Sequence, residues 1–189
     1  ILGTSFEYWL ISKTVITDLT LFVFFNAVLV SFYLAYSTKH KNLYYLCYFF
    51  SGLAVLTKGP IGILLPGFIM TVFICIRRDF AEVKRMKPLL GFPLFALVGG
   101  SWYYVMYQLH GSAFTDTFLG VHNVLRATVS EHPQWDVWYY YTGIFFIGFF
   151  PWCFSLPMVI HKYWTQHTLP TLDATTLFLL FWSLLVNFF

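Results

Sequence analysis

Charged side chains are scarce in this 189-residue chain, since Asp, Glu, Lys and Arg together make up 10% of it. Soluble domains carry about 25% charged residues and are about 45–50% apolar. Here hydrophobic residues reach 59% and aromatic residues 23% of the sequence. A soluble fold of this length has too little interior to bury so much apolar surface. The composition therefore excludes a soluble globular domain and predicts an integral membrane protein.

Cysteine, metal-binding patterns and basic stripes are also sparse or missing. The three cysteines, Cys47, Cys75 and Cys153, stand in apolar runs without pairing or metal-ligand spacing, which predicts inert thiols. No HExxH or three-ligand pattern indicates a zinc site, and no basic stripe indicates a nucleic-acid partner. The chain has no initiator Met and no signal peptide, and it ends inside an apolar run. We therefore expect it to be a piece of a longer protein, with some functional residues outside it.

What the sequence has in abundance is long apolar runs. A bilayer-spanning helix needs about 20 such residues, and Gly and Pro inside a run are tolerated in membranes. The pattern predicts an all-α, polytopic transmembrane helix bundle within one domain, 1–189, with about five full spans and a truncated sixth. Lys58-Gly59-Pro60 separates two short runs and predicts a tight helical hairpin. The spans are predicted near 19–37, 43–57, 61–76, 89–107, 137–160 and 174–189.

The distribution of cations predicts the orientation of these spans. Eight of the eleven Lys and Arg residues lie in three alternate loops, at Lys39–Lys41, at Arg77–Lys87 and at Lys162. The positive-inside bias assigns these loops to the cytoplasm. Asp18, Lys58 and the loop 108–136 then share the extracytoplasmic face. For the Arg77–Lys87 cluster two interpretations stay open, a topology anchor at an anionic leaflet and a binding site for a lipid head group.

Two isolated charges near predicted helix ends are candidate site residues. Asp18 stands where the first run begins, so it is either a helix N-cap or a functional carboxylate, because a charge at the membrane boundary is costly. Lys58 either snorkels to water or, on the rigid turn that Gly59-Pro60 favours, serves as a phosphate ligand.

The loop 108–136 holds the densest polar cluster, Gly120–Pro133. His122 and Arg126 are four residues apart and would share a helix face, and Glu131 and His132 follow. Arg126 suits bidentate contact with phosphate. The alternatives are a solvated interfacial face, a Glu131–Arg126 pair and an aromatic belt around the neighbouring Trp and Tyr residues. We favour a functional role for His122, Arg126 and His132 over these alternatives, because the three residues share one short loop.

Three segments read together resemble a known family. Thr17-Asp18 opens a helix, Leu53–Pro60 closes one with Thr-Lys-Gly-Pro, and Phe118–Arg126 precedes Glu131-His132-Pro133. This order resembles bacterial membrane glycosyltransferases of the protein O-mannosyltransferase superfamily (glycosyltransferase families 39 and 83, GT-C), in the branch containing the lipid A aminoarabinose transferase. The resemblance implies a GT-C fold in the cytoplasmic membrane, with its site facing the periplasm. It also implies transfer of a sugar from a polyprenyl-phosphate carrier to a lipid, glycan or protein hydroxyl.

The resemblance also implies roles for individual residues. Asp18 would be a catalytic carboxylate of the cavity, and Lys58 and Arg126 would hold the phosphate of the carrier. His122, Glu131 and His132 would line the site. The acidic motif of the family's first outer loop is absent, so the main acid or base is expected N-terminal to this chain.

Three points stay open at the level of sequence. No metal-ligand set is complete, and the resemblance leaves dependence on a divalent metal open. A transporter or flippase of lipid-linked sugars is one rival interpretation, although it would need ionisable groups or broken helices near the bilayer midplane. A non-catalytic membrane scaffold is the other, and it offers no reason for the polar residues to converge on one face.

Overall fold

Helices and turns account for all the regular structure in the part of the chain that the computed structural model describes, residues 2–14, 17–118, 140–166 and 173–188. The predicted all-α class is confirmed for these residues. Two helical stretches, Thr17–Thr38 and Pro88–His110, are long and apolar enough to cross a membrane. Three further apolar helices in the described part are shorter, and the number of spans stays a prediction.

Three helices connected by short turns form the centre of the structure. They are α2 (Thr17–Thr38), α3 (Leu43–Lys58) and α4 (Ile61–Arg77), and they run antiparallel in sequence order. The α3–α4 pair is the hairpin that the sequence predicts. The core of the three-helix bundle is apolar and aromatic because these helices carry almost no charge. Phe32 and Phe73 are fully buried there and meet edge to face. The last helix, α11 (Ala174–Phe188), adds Phe178 to the same cluster.

A second long stretch packs against α3 through glycine. It consists of α6 (Pro88–Phe95), a π-helical turn (Ala96–Gly100) and α7 (Ser101–His110). A Cβ atom on Gly52 would lie 2.8 Å from the Cβ of Val98, and one on Gly99 would lie 3.1 Å from the Cα of Gly52. Larger residues would push the helices apart, so the two glycines set the spacing between this stretch and α3.

The sequence predicts a single span near 137–160, and the structure differs from that prediction. The structure has two helices here, α9 (Tyr140–Gly148) and α10 (Ser155–Gln166), with a 3-10 turn (Trp152–Phe154) between them. Pro151 stands at the break, where its ring offers no backbone N–H to continue a helix.

The break between α9 and α10 docks on the N-terminal segment of the chain. The backbone N–H of Phe6, the first residue of α1 (Phe6–Ser12), donates to the carbonyl of Phe150 at 3.0 Å. The Trp152 indole donates to the Thr4 hydroxyl at 2.9 Å. The first bond pairs two backbone groups that have no partner within a helix, and the second attaches the turn to the N-terminal segment through side chains.

The antiparallel order gives the central bundle two distinct ends. One end, called the Lys58 end, carries the start of α2, the end of α3 and the start of α4. The opposite end carries Lys39 after α2, the start of α3 and the short helix α5 (Ala81–Arg85), which connects α4 to α6. Another short helix, α8 (Ser112–Thr115), follows α7.

Candidate functional site

The Lys58 end brings together two of the residues singled out from the sequence. Asp18 is the second residue of α2 and Lys58 is the last residue of α3. The Lys58 ammonium donates to the Asp18 carboxylate, and each side chain is half exposed. A carboxylate in the first turn of a helix and an ammonium in the last turn also complement the helix dipoles. Asp18 therefore lies inside the first turn and faces Lys58.

The backbone that presents Lys58 is held on three sides. Gly59 ends α3 with φ of 83°, a conformation that favours glycine, and its N–H donates to the Val55 carbonyl at 2.8 Å. The Tyr103 hydroxyl of α7 donates to the same carbonyl at 2.9 Å. On the α4 side, a Cβ on Gly62 would lie 2.5 Å from the carbonyl carbon of Ala54. The three contacts fix the turn, so Lys58 projects from a rigid support.

Aromatic side chains border this end of the bundle on the α7 side. The ring of Tyr103 contacts Trp102 at 5.1 Å and Phe118 at 5.4 Å between centroids. Phe118 also stacks on Phe114 at 5.4 Å. Because Tyr103 binds the last turn of α3, this cluster lies beside the Lys58 turn. Phe118 is the last residue that the structure describes before Tyr140.

The remaining predicted site residues, His122, Arg126, Glu131 and His132, lie outside the described residues. Their roles stay predictions. Within the described part of the chain, no three His, Cys, Asp or Glu side chains come together as metal ligands would.

The opposite end contains a buried carboxylate that sequence reasoning missed. Glu82 of α5 is about 1% exposed, and it accepts hydrogen bonds from the Tyr44 hydroxyl at 2.5 Å, from Arg85 at 2.8 Å and from Lys39 at 3.1 Å. Burial by itself raises the pKa of Glu82, but these three donors outweigh it, so the pKa lies below its ordinary value of 4.5. The sequence shows only an acidic residue among cations, because burial of Glu82 depends on how α5 folds back onto α2 and α3.

Solved structures with the same fold are known. The chain superposes with a TM-score of 0.81 on the crystal structure of ArnT from Cupriavidus metallidurans bound to undecaprenyl phosphate. That match has 22% identity and covers 98% of this chain and 34% of the other. The apo structure of the same protein matches with a TM-score of 0.67 at 21% identity, over 90% of this chain and 30% of the other. The chain therefore resembles part of a GT-C membrane fold.

Curated relatives show which proteins of this fold the chain is similar to in sequence. The chain is 26% identical, over 174 residues, to the undecaprenyl phosphate-alpha-4-amino-4-deoxy-L-arabinose arabinosyl transferase of Aeromonas salmonicida, a match that covers 90% of this chain and 31% of the relative. A transferase of the same name from Proteus mirabilis is 28% identical over 153 residues, or 79% of this chain and 28% of its own length. An uncharacterised protein of Aquifex aeolicus is 30% identical over 134 residues, or 70% of this chain and 26% of its own length.

These relatives confirm the resemblance that the sequence predicts, to the aminoarabinose transferase branch of the GT-C glycosyltransferases. No family model matches the chain. The chain spans about a third or less of the length of the relatives it matches.

Proposed function

We propose that the chain forms part of a glycosyltransferase that moves a sugar from a polyprenyl-phosphate carrier to an extracytoplasmic acceptor. Two transferases named for an undecaprenyl-phosphate-linked aminoarabinose are similar to it along most of its length. A solved structure with the same fold was crystallised with undecaprenyl phosphate. The acceptor is a hydroxyl of a lipid, a glycan or a protein.

The Asp18–Lys58 pair is the observation that carries this proposal. In this transfer the polyprenyl-phosphate carrier is the leaving group, and negative charge grows on its phosphate as the bond between the sugar and the phosphate breaks. A cation on a rigid support, in a site with little water, stabilises that charge without having to reorganise. Lys58 meets the first requirement, since its turn is fixed by Tyr103, Gly59 and Gly62. Asp18 orients the ammonium and leaves about half of the Lys58 side chain open to an approaching phosphate.

Arg126 is the second phosphate ligand of the proposed site, and His122, Glu131 and His132 line it. The length of the chain permits this, because His122 and Arg126 follow Phe118 by four and eight residues, which can span at most about 14 Å and about 29 Å. Phe118 itself packs on Tyr103 beside the Lys58 turn. In this arrangement Asp18 is also available to accept the proton of the acceptor hydroxyl, together with an acid or base supplied from outside the chain.

The proposed enzyme is a multi-pass protein of the bacterial cytoplasmic membrane, with the Lys58 end facing outward. The orientation rests on charge. The end opposite Lys58 carries Lys39, Lys41 and the Arg77–Lys87 segment, and cytoplasmic loops are enriched in such cations. An outward site also suits acceptors of the cell envelope.

The first experiment replaces the two proposed phosphate ligands in the full-length protein. Lys58→Ala and Arg126→Ala are each expected to lower the transfer rate by two to three decades, about 3–4 kcal/mol of transition-state stabilisation. The rate is measured with a panel of polyprenyl-phosphate sugars, which also identifies the donor. The matched control is Lys13→Ala, which removes an exposed ammonium that lies 3.9 Å from the Trp9 ring centre. Normal turnover of the Lys58 and Arg126 variants would refute the phosphate assignment.

A charge-swap variant separates binding of phosphate from a merely structural ion pair. Asp18→Lys combined with Lys58→Asp keeps two opposite charges in contact but moves the cation onto α2. If the pair only holds α2 against α3, the swap restores the activity that Lys58→Ala loses. If Lys58 binds phosphate, the swapped protein folds and stays inactive. Apparent melting temperatures of all variants distinguish the loss of fold from the loss of function.

A further inference from the structure

The end of the bundle opposite Lys58 presents a surface of cations and apolar side chains on and beside α5. We define the α5 platform as Arg77, Arg78, Phe80, Val83 and Lys84. All five are exposed, and Phe80 is 60% exposed although it is a large apolar residue. The platform stands apart from the proposed transfer site, and its function does not depend on that site.

The buried carboxylate distinguishes the cations of this end that have an acidic partner from those that have none. Glu82 binds Lys39 and Arg85, whose side chains remain nearly half exposed, so its single negative charge offsets part of their positive charge. Arg77, Arg78 and Lys84 form no ion pair with any acidic residue that the structure describes. Their charges are therefore free to meet an anionic partner.

The local geometry holds the platform in a fixed shape. α4 ends where Arg78 takes a left-handed conformation with φ of 54°, and α6 begins after Lys87 with φ of 48°. Between these turns Glu82 pins α5 to Tyr44 at the start of α3. Phe80, Val83 and Lys84 are three and four residues apart, so they share the face of α5 that points away from this anchor.

The position of the platform between two apolar helical segments suits contact with lipid head groups. It begins at the last residue of the apolar helix α4 and ends shortly before the stretch Pro88–His110, which is long and apolar enough to cross a membrane. Aromatic and aliphatic side chains beside Lys and Arg suit the boundary between acyl chains and head groups. A soluble acidic protein would match the cations but would leave Phe80 and Val83 without an apolar counterpart.

We propose that the α5 platform binds anionic phospholipids, with Arg77, Arg78 and Lys84 on the head-group phosphates and Phe80 and Val83 between the upper acyl chains. The partner is defined by its negative head group, as in phosphatidylglycerol, and by the adjoining hydrocarbon. The site does more than orient the chain, since it selects anionic over zwitterionic lipid.

Binding of lipid to the full-length protein in mild detergent tests this proposal. Native mass spectrometry is used to titrate phosphatidylglycerol and phosphatidylcholine separately. Each basic residue near an anionic lipid surface strengthens binding about five-fold. We therefore expect about a hundred-fold weaker binding of phosphatidylglycerol, with phosphatidylcholine unchanged, when all three platform cations become glutamine. The test variant is Arg77→Gln/Arg78→Gln/Lys84→Gln.

A control of equal charge makes the result specific. It removes three cations outside the platform and outside the proposed transfer site, Lys13→Gln/Lys41→Gln/Lys162→Gln. Equal losses in the two triple variants would show that only net charge matters and would overturn the proposal. Unchanged binding in the platform variant would overturn it as well. If the platform triple does not fold, Lys84→Gln alone gives the same test with an expected loss of about five-fold.

Inorganic phosphate and apolar substitutions separate a lipid from a free anion. Full displacement of phosphatidylglycerol by inorganic phosphate would show an anion site and overturn the assignment to lipid. The variant Phe80→Ser/Val83→Ser keeps every cation, and it is expected to weaken the binding of phosphatidylglycerol several-fold. Undiminished binding in this variant would contradict insertion of the apolar side chains.

Discussion

Replacement of Glu82 by alanine tests how the end opposite Lys58 is held together. The variant removes the acceptor of the Tyr44 hydroxyl, which then lies buried without that partner. A hydrogen bond to a charged group contributes about 1.5–3 kcal/mol. Lys39 and Arg85 add little, because both are nearly half exposed and can turn to water. We therefore expect the Tyr44–Glu82 bond to dominate the loss of stability.

The assay is the apparent melting temperature of the full-length protein in detergent. The shift per kcal/mol falls as a protein lengthens, from about 2–4 °C in a domain of 150–250 residues, so Glu82→Ala is expected to lower the apparent melting temperature of the full-length protein by about 2 °C. The control is Asp79→Asn, which removes a nearby charge whose contact with Lys39 is 4.0 Å long. A change within about 0.5 kcal/mol is expected there. Equal shifts in the two variants would refute the dominant role of the buried bond.

A double-mutant cycle with Tyr44→Phe isolates that bond. Tyr44→Phe alone leaves the Glu82 carboxylate without its buried donor, and Glu82→Ala alone leaves the hydroxyl without its acceptor. In the double variant neither group is left unpaired, so its loss should be smaller than the two single losses added together, by about 0.5–3 kcal/mol. Additive losses would mean that the two residues act separately.

Acid gives an independent check on the same carboxylate. The folded-state pKa of Glu82 lies below the ordinary value of 4.5, because the donors around it outweigh its burial. Its contribution to stability is therefore fully present above about pH 4.5 and is lost as the pH falls through the folded-state pKa. The difference in melting temperature between wild type and Glu82→Ala should be constant near neutral pH and shrink below about pH 4.5. A difference that grows in acid would contradict this assignment.

Two substitutions test the support of the Lys58 turn. Gly62→Ala would place a methyl group 2.5 Å from the backbone of α3 and should cost about 1–3 kcal/mol in apparent stability, whereas Gly67→Ala in open space on α4 should be neutral or slightly stabilising. Equal melting temperatures of these two variants would contradict the close contact. Tyr103→Phe removes one of two hydrogen bonds to the Val55 carbonyl and should cost about 0.5–1 kcal/mol in apparent stability. The control, Tyr104→Phe at an exposed position, should cost nothing measurable. A larger loss of stability in the Tyr104 variant than in the Tyr103 variant would contradict the attachment of α7 to α3 through this bond.

Local signals in the sequence were sufficient for several features of this protein. Scarcity of charge, apolar runs of helical length and Gly59-Pro60 after Lys58 are each readable over a few residues, and they predict a helical membrane protein with a hairpin turn at Lys58. The resemblance to the aminoarabinose transferase branch rests on short motifs in a fixed order, which a sequence carries without any knowledge of packing. The roles of His122, Arg126, Glu131 and His132 stay predictions.

Only the tertiary structure decided which distant groups meet. Asp18 and Lys58 are forty positions apart, and their contact depends on α2 and α3 packing antiparallel with matching lengths. Glu82 is one of several charged residues in its segment, and its burial follows from α5 folding back onto Tyr44 and Lys39. The break at Pro151 also involves distant residues, because membrane helices tolerate proline and the contacts at this break come from Thr4 and Phe6 of the N-terminal segment. Composition and periodicity are local quantities, whereas these contacts result from the packing of whole helices.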